Sequence, residues 1–523
     1  NMGLTAQGCW KRALVHVLLL RCVATFQPLR STISRRSSAF ASTRSSPRSP
    51  LPRLNAATTT TSTSSSSSMT LDEDEQVGAW IPIGSIKCFS GLGPQDITVM
   101  GLDLVVWEGP DNKWSVMTDA CPHRLAPLSQ GRVDPTTGCI ECPYHGWQFD
   151  VEGNVTQVPQ LESDKTLAGI KGNKDATSFP THAAGDMLFA FLPSSIHGEM
   201  FPQSNLPENM FPTLKADMEA NVTYYSRDLP YSHDFLVENF MDPAHIPFAH
   251  HSLQSVRSDG VPIPMKHVSL NFTHVETSFE DQSRGKQRDC VASFQRPTMY
   301  HFRRRNESGV YQTQLNIHCV PVKAGRSRVI YSTEFLKMLP EWVRHLGSNR
   351  FLNTDAWLHD AERKARSISK SNLRYVYASE SDTGVQAYRR WWNKHGHSTA
   401  PPHTFGPAAY SDLEKVSRRD YLDPWEWHAK RCSVCRKALK RMKLAQSCGL
   451  GFALVGTVLL RRRPIFAAIV AGVGFYVRHM ARLFATSIEG TNYPSEIADR
   501  SPAHQEDYEK MKIYSRFASK RRP

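Results

Sequence analysis

Residues Cys121 to Trp147 read CPHRLAPLSQGRVDPTTGCIECPYHGW. Two short pairs stand in this stretch, Cys121-Pro-His123 and Cys142-Pro-Tyr-His145, with 18 residues between His123 and Cys142. Two thiols and two imidazoles in this spacing suit a 2Fe–2S cluster in which two thiolates hold one iron and two imidazoles the other. Thiolates are soft ligands for ferric iron. Imidazoles raise the reduction potential above that of an all-thiolate cluster, and their outer nitrogens titrate with the redox state. Pro122 and Pro143 stiffen the approach to each pair, and Gly146 lets the backbone fold tightly after the last ligand. Two loops pinching one group are therefore expected. Tetrahedral zinc also takes two Cys and two His, but zinc fingers rarely follow C-x-H with C-x-x-H. Cys139 makes a C-x-x-C with Cys142 without a histidine three residues on, and is expected to be a buried bystander.

Around this stretch the chain punctuates itself as strands and turns. From Trp80, the short apolar runs Ile97–Met100, Leu102–Trp107 and Trp114–Thr118 are separated by Gly, Pro and Asn. A small antiparallel β domain is expected to carry the loops and to end near Pro193, after a strand Met187–Leu192.

Further on lies Glu238-Asn-Phe-Met-Asp242-Pro-Ala-His245-Ile-Pro-Phe-Ala-His250-His251. On one helix Glu238, Asp242 and His245 share a face, and Pro247 is expected to end that helix before His250. A helix followed by a turn can aim both imidazoles at one point. Two imidazoles and one carboxylate make the facial triad of non-haem Fe(II) oxygenases. Asn239, Asp242, Pro243, His245 and His250 resemble the N-x-x-D-P-x-H-x-x-x-x-H motif of Rieske oxygenases. That resemblance makes His245 and His250 iron ligands, and makes Asp242 the bridge that passes an electron from a cluster histidine of a neighbouring subunit. Glu238 and Asn239 join Asp242 as candidate catalytic residues, and His251 is expected at the surface. The third ligand is sought in the helical pattern Arg350–Lys364. Asp355 shares a face with Leu358, His359 and Glu362. Asp360 stands four before Lys364 and is expected to pair with it, so Asp355 is the chosen ligand over Asp360. Many relatives carry Gln seven positions after the acid, where this chain has Glu362.

Strand-like runs between these segments (Val268–Thr273, Tyr311–Cys319, Arg328–Phe335) imply a twisted antiparallel sheet flanked by the ligand helices. The fold class is α+β: a small antiparallel β domain, then a helix-flanked antiparallel-sheet catalytic domain, then a C-terminal hydrophobic anchor. Tyr224, Tyr225, Phe235, Phe240, Phe248, Tyr300, Phe302, Trp342 and Trp357 are core candidates that could also line a site for a large planar substrate.

After Trp425-Glu-Trp427-His comes Lys430-Arg-Cys432-Ser-Val-Cys435-Arg-Lys, a C-x-x-C among basic residues. Neighbouring positive charge lowers a thiol pKa, so Cys432 and Cys435 are candidate redox residues, a dithiol/disulfide switch. Zinc would need two more ligands, and no second pair stands nearby in sequence. Leu444–Leu460 and Pro464–Val477 are apolar, with Arg461-Arg-Arg463 between them. They are expected to form a short hairpin anchor, with an in-plane amphipathic anchor as the alternative.

The 523-residue chain carries a net charge of +14. Residues 1–71 hold nine basic residues and no acid, so the rest of the chain carries only +5. The basic balance therefore belongs to a leader, and no nucleic-acid partner is expected. Lys11 and Arg12 precede the apolar run Ala13–Leu20, too short to span a bilayer. Val23-Ala-Thr-Phe26-Gln-Pro and a Ser/Thr/Arg-rich segment through Thr58–Ser68 follow. This resembles the bipartite plastid-targeting leaders of algae with secondary plastids. The 11 cysteines, four of them in motifs, suit a reducing organelle interior. The expected segments are a leader over 1–71, a cluster domain over 76–193, a catalytic domain over 194–430, a basic C-x-x-C segment over 431–443, a membrane anchor over 444–485 and a tail over 486–523.

This order of motifs resembles the plastid pheophorbide a oxygenase family, which includes the inner-envelope translocon Rieske protein and the protochlorophyllide-dependent translocon component. The resemblance covers about residues 76–500. Chlorophyllide a oxygenases are similar at both iron sites, but as the resemblance has it they lack the C-terminal C-x-x-C. The resemblance implies one 2Fe–2S Rieske cluster and one mononuclear non-haem Fe(II). It implies electrons from ferredoxin, and O₂ and a chlorophyll-derived tetrapyrrole as substrates. Ring opening of pheophorbide a is the first expectation, and oxidation of the C7 methyl of protochlorophyllide or chlorophyllide a the alternative. It further implies a homotrimer, a plastid envelope or thylakoid membrane, and thioredoxin as a partner of the C-x-x-C. No complete G-x-G-x-x-G follows a strand, so a partner protein is expected to bring the reductant. A membrane-tethered redox component of the envelope translocon is the competing reading from another class.

Overall fold

The computed structural model describes residues 78–490 except 162–166, 168, 170–174, 194–204, 212, 252, 283–286, 334–336, 369–374, 397–406, 411–412, 414 and 460–462. The leader, the tail after Gly490, Arg461 and Arg462 of the basic interruption, and Phe335 lie outside the described residues.

The first part of the chain is built from three antiparallel sheets. β1 (Gly78–Ser85), β10 (Thr181–Ala184) and β11 (Met187–Pro193) make one, in the order β1-β11-β10. β2 (Gln95–Val99), β3 (Leu102–Glu108), β4 (Trp114–Thr118) and β9 (Ser178–Phe179) make the second in that order. The run Leu104–Trp107 on β3 is wholly buried, as a β-branched and aromatic run in a central strand should be. β5 (Arg132–Val133), β6 (Ile140–Glu141), β7 (Gln148–Phe149) and β8 (Val155–Gln157) form the third. These strands are too short to hold themselves by ladder bonds. Ile140, Phe149 and Val155 share a core with Val105, Trp107 and Met117 of the second sheet, and that core fixes them.

The second part centres on a seven-stranded antiparallel sheet. Its strands are β12 (Tyr224–Leu229), β13 (Met265–Leu270), β14 (His274–Asp281), β15 (Arg288–Gln295), β16 (Met299–Arg305), β17 (Tyr311–Lys323) and β18 (Arg326–Ser332), in the order β12-β18-β17-β16-β15-β14-β13. Around it stand α1 (His233–Phe240), α2 (Ile246–Ala249), α3 (Glu341–Asn353), α4 (Leu358–Ile368) and α5 (Thr383–His395). α1 packs on β17 and β18, and α5 on β13 and β14. The expected α+β layout is the observed one. The helix expected across Arg350–Lys364 is instead α3 and α4 with a tighter turn between them. The amides of Thr354, Asp355 and Ala356 bond back three residues, to Phe351, Leu352 and Asn353. This over-winds the chain where Asp355 sits.

The two parts share a core. Trp80, Ile83, Leu104 and Phe189 pack in one cluster with Tyr224, Met299, Val320 and Ile330. The amides of Met100 and Gly101 bond to the carbonyls of Pro321 and Val322 at 2.8 and 2.7 Å. Buried Arg328 pairs with Asp228 at 2.5 Å and donates to the Ile83 carbonyl at 3.1 Å. The cluster domain is thus not an independent bead on the catalytic one.

His318 of β17 sits in this shared core, edge-on to Phe189 and Phe211, with Nδ1 3.1 Å from the Thr298 hydroxyl. Burial holds its imidazole down from the ordinary 6.5 to about 3. The unfolded chain takes up a proton below about pH 6.5 that the folded chain refuses until about pH 3, so stability present above that window is lost as pH falls through it. We expect the melting temperature of the wild type to fall more steeply below about pH 6.5 than that of His318→Phe. Equal slopes would contradict this account.

At the C-terminal end α6 (Ser433–Leu459) and α7 (Pro464–Glu489) form an antiparallel hairpin. A Cβ on Gly449 would lie 2.8 Å from the Gly474 carbonyl, and one on Gly456 only 2.2 Å from Val470. Small residues let these backbones meet. The helices are longer than the apolar runs within them, and α7 is long and apolar enough to cross a membrane. Phe452, Leu454, Val455, Val458, Ile465 and Phe466 point outward and are exposed.

Candidate active site

Both ligand pairs of the first motif occur in loops closed by their own backbone. In the first loop, Cys121 N–H donates to Ala126 O and Leu125 N–H to Cys121 O, both at 2.8 Å. In the second, Cys142 N–H donates to Trp147 O at 2.8 Å and Gly146 N–H to Cys142 O at 3.1 Å. β6 ends immediately before Cys142 and β7 begins immediately after Trp147. Gly146 has φ +72°, in the left-handed region that favours glycine. The thiols of Cys121 and Cys142 are buried and adjacent. The His123 and His145 rings lie 4.6 Å apart, and His123 stacks on Trp147 at 4.8 Å. His123 Nδ1 is buried without a hydrogen-bond partner. Burial pushes the Cys121 thiol up to about 11, so a thiolate there needs compensating positive charge. An orphaned buried imidazole nitrogen and two adjacent buried thiols on neighbouring loops are the donor types that a two-iron cluster with split ligation requires. Cys139 is buried with its sulfur 3.5 Å from the Thr156 hydroxyl.

In the second motif, α1 stops at Phe240. Asp242 caps a short 3₁₀ turn, Pro243–His245, by accepting the Ala244 N–H at 2.9 Å. Pro247 stands in the first turn of α2, so it opens the next helical turn instead of ending the previous helix. This break brings His245 Nε2 to 3.2 Å from His250 Nε2, and His250 Nε2 to 3.3 Å from Asp355 Oδ2. The His245, His250 and Asp355 ligand atoms all lie within 4.8 Å of one another.

Each imidazole is held by its other nitrogen. The Thr354 hydroxyl donates to Phe351 O at 2.6 Å and so accepts the proton of His250 Nδ1 at 2.7 Å. His245 Nδ1 donates to the Asp242 carbonyl. Both Nε2 atoms therefore present lone pairs to the same point. Asn239 Nδ2 donates to Asp355 Oδ2 at 3.0 Å, while the other oxygen of that carboxylate, Asp355 Oδ1, is buried without a hydrogen-bond partner. Burial pushes the Asp355 carboxyl up to about 6 and holds His250 down to about 3. Two facing lone pairs and an orphaned carboxylate oxygen fit a divalent iron on its facial triad. His245 is only half-buried, which leaves the centre an open side.

The other expectations divide. Asn239 touches the site through Asp355, and Asp242 flanks it; burial pushes the Asp242 carboxyl up. Glu238 does not reach it. Its carboxylate pairs with Arg389, which also holds Asp234 at 2.8 Å. Burial would raise Asp234, but Arg366 and Arg389 outweigh it and hold that carboxyl at about 2. Glu238 thus belongs to a buried ion network that clamps α1 to α5. Glu362 belongs to the same network, accepting the Ser232 N–H at 2.8 Å and pairing with Arg366 at 3.2 Å. The expected Asp360–Lys364 ion pair is absent among the described residues, and Asp360 stands outside the site. His251 is half-buried, accepting the Arg257 N–H at 3.1 Å. Of the aromatics, Tyr224, Tyr225, Phe235 and Tyr300 are core, and Phe248 is exposed. Thr354 and Phe351, whose ring stacks on His250 at 4.1 Å, escaped sequence reading. Adjacency to Asp355 was the available signal.

The sequence offers no second ligand pair beside the C-x-x-C, but the fold brings one there. His345 and His428 lie against Cys432 and Cys435, all four buried and with ligand atoms within 4.8 Å of one another.

The Rieske [2Fe-2S] domain family matches residues 79–179, and the pheophorbide a oxygenase family matches residues 292–372. The chain is 30% identical over 438 residues to protochlorophyllide-dependent translocon component 52 of Arabidopsis thaliana, covering 71% of this chain and 74% of that protein. It is 29% identical over 407 residues to pheophorbide a oxygenase of Oryza sativa subsp. japonica, covering 71% and 75%. It is 28% identical over 404 residues to flavonoid 8-hydroxylase 2 of Ocimum basilicum, again covering 71% and 75%. All three are chloroplastic.

Proposed function

Since the chain belongs to the family of chloroplast Rieske oxygenases that includes pheophorbide a oxygenase and the protochlorophyllide-dependent translocon component, we propose that it opens the ring of pheophorbide a with O₂ and electrons from ferredoxin. It is an oxidoreductase of the Rieske non-haem iron class, with a 2Fe–2S cluster and a mononuclear iron as its cofactors. When bound, the cluster supplies electrons singly and the mononuclear iron supplies O₂ activation.

The chain's own residues then divide the work. Cys121, His123, Cys142 and His145 hold the cluster, and His245, His250 and Asp355 hold the iron. Thr354 and the Asp242 carbonyl set the two imidazole tautomers, and Asn239 orients Asp355. Asp242 offers its carboxylate to a cluster histidine of a neighbouring subunit, so a homotrimeric ring is the proposed assembly. Exposed apolar side chains at both ends of that contact support it: Leu125 and Tyr144 at the cluster tip (70% and 59% exposed) and Phe248 beside the iron ligands (50%). The hairpin of α6 and α7 is the proposed tether to a plastid envelope or thylakoid membrane. The leader composition supports an alga with a secondary plastid as the source.

The observation that carries the oxygenase reading over a redox component of the translocon is the second cluster of metal-ligating side chains, since a pure carrier has no need of His245, His250 and Asp355 gathered around one point. The iron content of the full chain tests it. We expect about three irons per chain, and about two would return the carrier reading. Protochlorophyllide and chlorophyllide a, oxidised at the C7 methyl, are the alternative substrates.

A further inference from the structure

The residues around Cys432 and Cys435 come from separate places in the chain. His345 projects from α3, His428 from the turn Trp425–Ala429, Cys432 immediately precedes α6, and Cys435 lies in its first turn. His428 Nε2 lies 3.2 Å from His345 Nδ1. The sulfurs of Cys432 and Cys435 each lie 3.5 Å from His345 Nδ1, and that of Cys435 lies 3.4 Å from His428 Nε2. Tetrahedral zinc, with bonds of about 2.3 Å to sulfur and about 2.0–2.1 Å to nitrogen, spaces its ligand atoms by about 3.3–3.8 Å. The three sulfur–nitrogen separations fall in that range, and the 3.2 Å between the two imidazole nitrogens lies just below it.

The outer nitrogens agree. His428 Nδ1 is 2.7 Å from the Ser226 carbonyl, so it carries the proton and leaves Nε2 a lone pair. His345 Nε2 faces Glu341 at 3.9 Å, and Lys87 holds that carboxylate at 3.1 Å. The 3.9 Å contact is beyond hydrogen-bond reach, but a carboxylate on this side favours the proton on Nε2 and so a lone pair on Nδ1. In that tautomer two imidazole lone pairs face each other at 3.2 Å between two sulfurs. Backbone carbonyl and carboxylate partners on the outer nitrogens are how metal-bound histidines are oriented. The four residues are 1–3% exposed, which closes the site to water and to an exchanging thiol from another protein. Cys88, also buried, lies against Cys432 and can donate to its sulfur.

We propose that His345, His428, Cys432 and Cys435 bind one zinc ion as a closed, structural site. Two thiolates and two imidazoles with no open position are the donor set of structural zinc. The ion pins the root of the α6–α7 hairpin to α3, the helix that delivers Asp355 two residues past its end. The proposal does not depend on the substrate, nor on either iron centre.

The test uses the full chain in detergent, purified without a metal-affinity step. Elemental analysis should find about one zinc per chain besides iron, and zinc-edge X-ray absorption should find about two sulfurs and two nitrogens around it. The spectrum needs no variant, so it stands even if a substituted chain does not fold. His428→Gln with Cys435→Ser should lose the zinc and keep the iron, whereas His250→Ala should keep the zinc. No zinc, or zinc with a shell of nitrogen and oxygen alone, overturns the proposal. A disulfide among Cys88, Cys432 and Cys435 in the native chain, found by peptide mass spectrometry, also overturns it and restores the thioredoxin-linked switch.

Discussion

His250→Ala should abolish oxygenation while the Rieske cluster keeps its visible spectrum and its reduction by ferredoxin. The reason lies in how the imidazole is built in. His250 is 3% exposed, wedged against Phe351, and locked by Thr354 so that its free lone pair meets that of His245. Alanine removes one ligand and leaves Thr354 and Asp355 facing a void. Iron should fall from about three to about two per chain, the remaining two in the cluster. Asp355→Ala should give the same loss. Asp360→Asn should leave iron and turnover near wild type, because Asp360 stands outside the site. If His250→Ala kept its mononuclear iron, the ligand set proposed here would be wrong.

Asp242→Asn should be the most informative loss with both metal centres intact. Asparagine preserves the shape, the cap on Ala244 and the backbone carbonyl that orients His245. It removes the negative charge that the proposed assembly offers to a cluster imidazole N–H of a neighbouring subunit. Turnover should fall by about 10²-fold or more while iron content is unchanged. In a single turnover, the pre-reduced cluster should stay reduced when substrate and O₂ are added, whereas in the wild type it reoxidises. Wild-type reoxidation in Asp242→Asn would remove Asp242 from the path between the centres.

What could be read from the chain alone follows sequence distance. The cluster pairs are local, each spanning three or four residues, so spacing and ligand chemistry were enough to propose them. The pair His245/His250 was equally legible, but the helix carrying it was not, because Asp242 caps a new turn where periodicity alone continues the old one. Asp355 was chosen by helical face, yet it reaches the site because the chain over-winds between α3 and α4. Glu238 failed for the opposite reason: it shares the expected face, but buried Arg389, 151 residues away in sequence, claims its carboxylate. His345 could not be associated with His428 or with Cys432, since 83 residues separate the two imidazoles and only tertiary packing joins them, whereas His428 stands four residues before Cys432.

The most direct test is a product assay on residues 72–523 in mild detergent, with reduced ferredoxin, isotope-labelled O₂ and pheophorbide a, read by mass spectrometry. A ring-opened product carrying the label, absent with His245→Ala, is the predicted result. No labelled product from pheophorbide a, with protochlorophyllide and chlorophyllide a also unchanged while the Rieske cluster still cycles, would contradict the oxygenase account and return the redox-component reading.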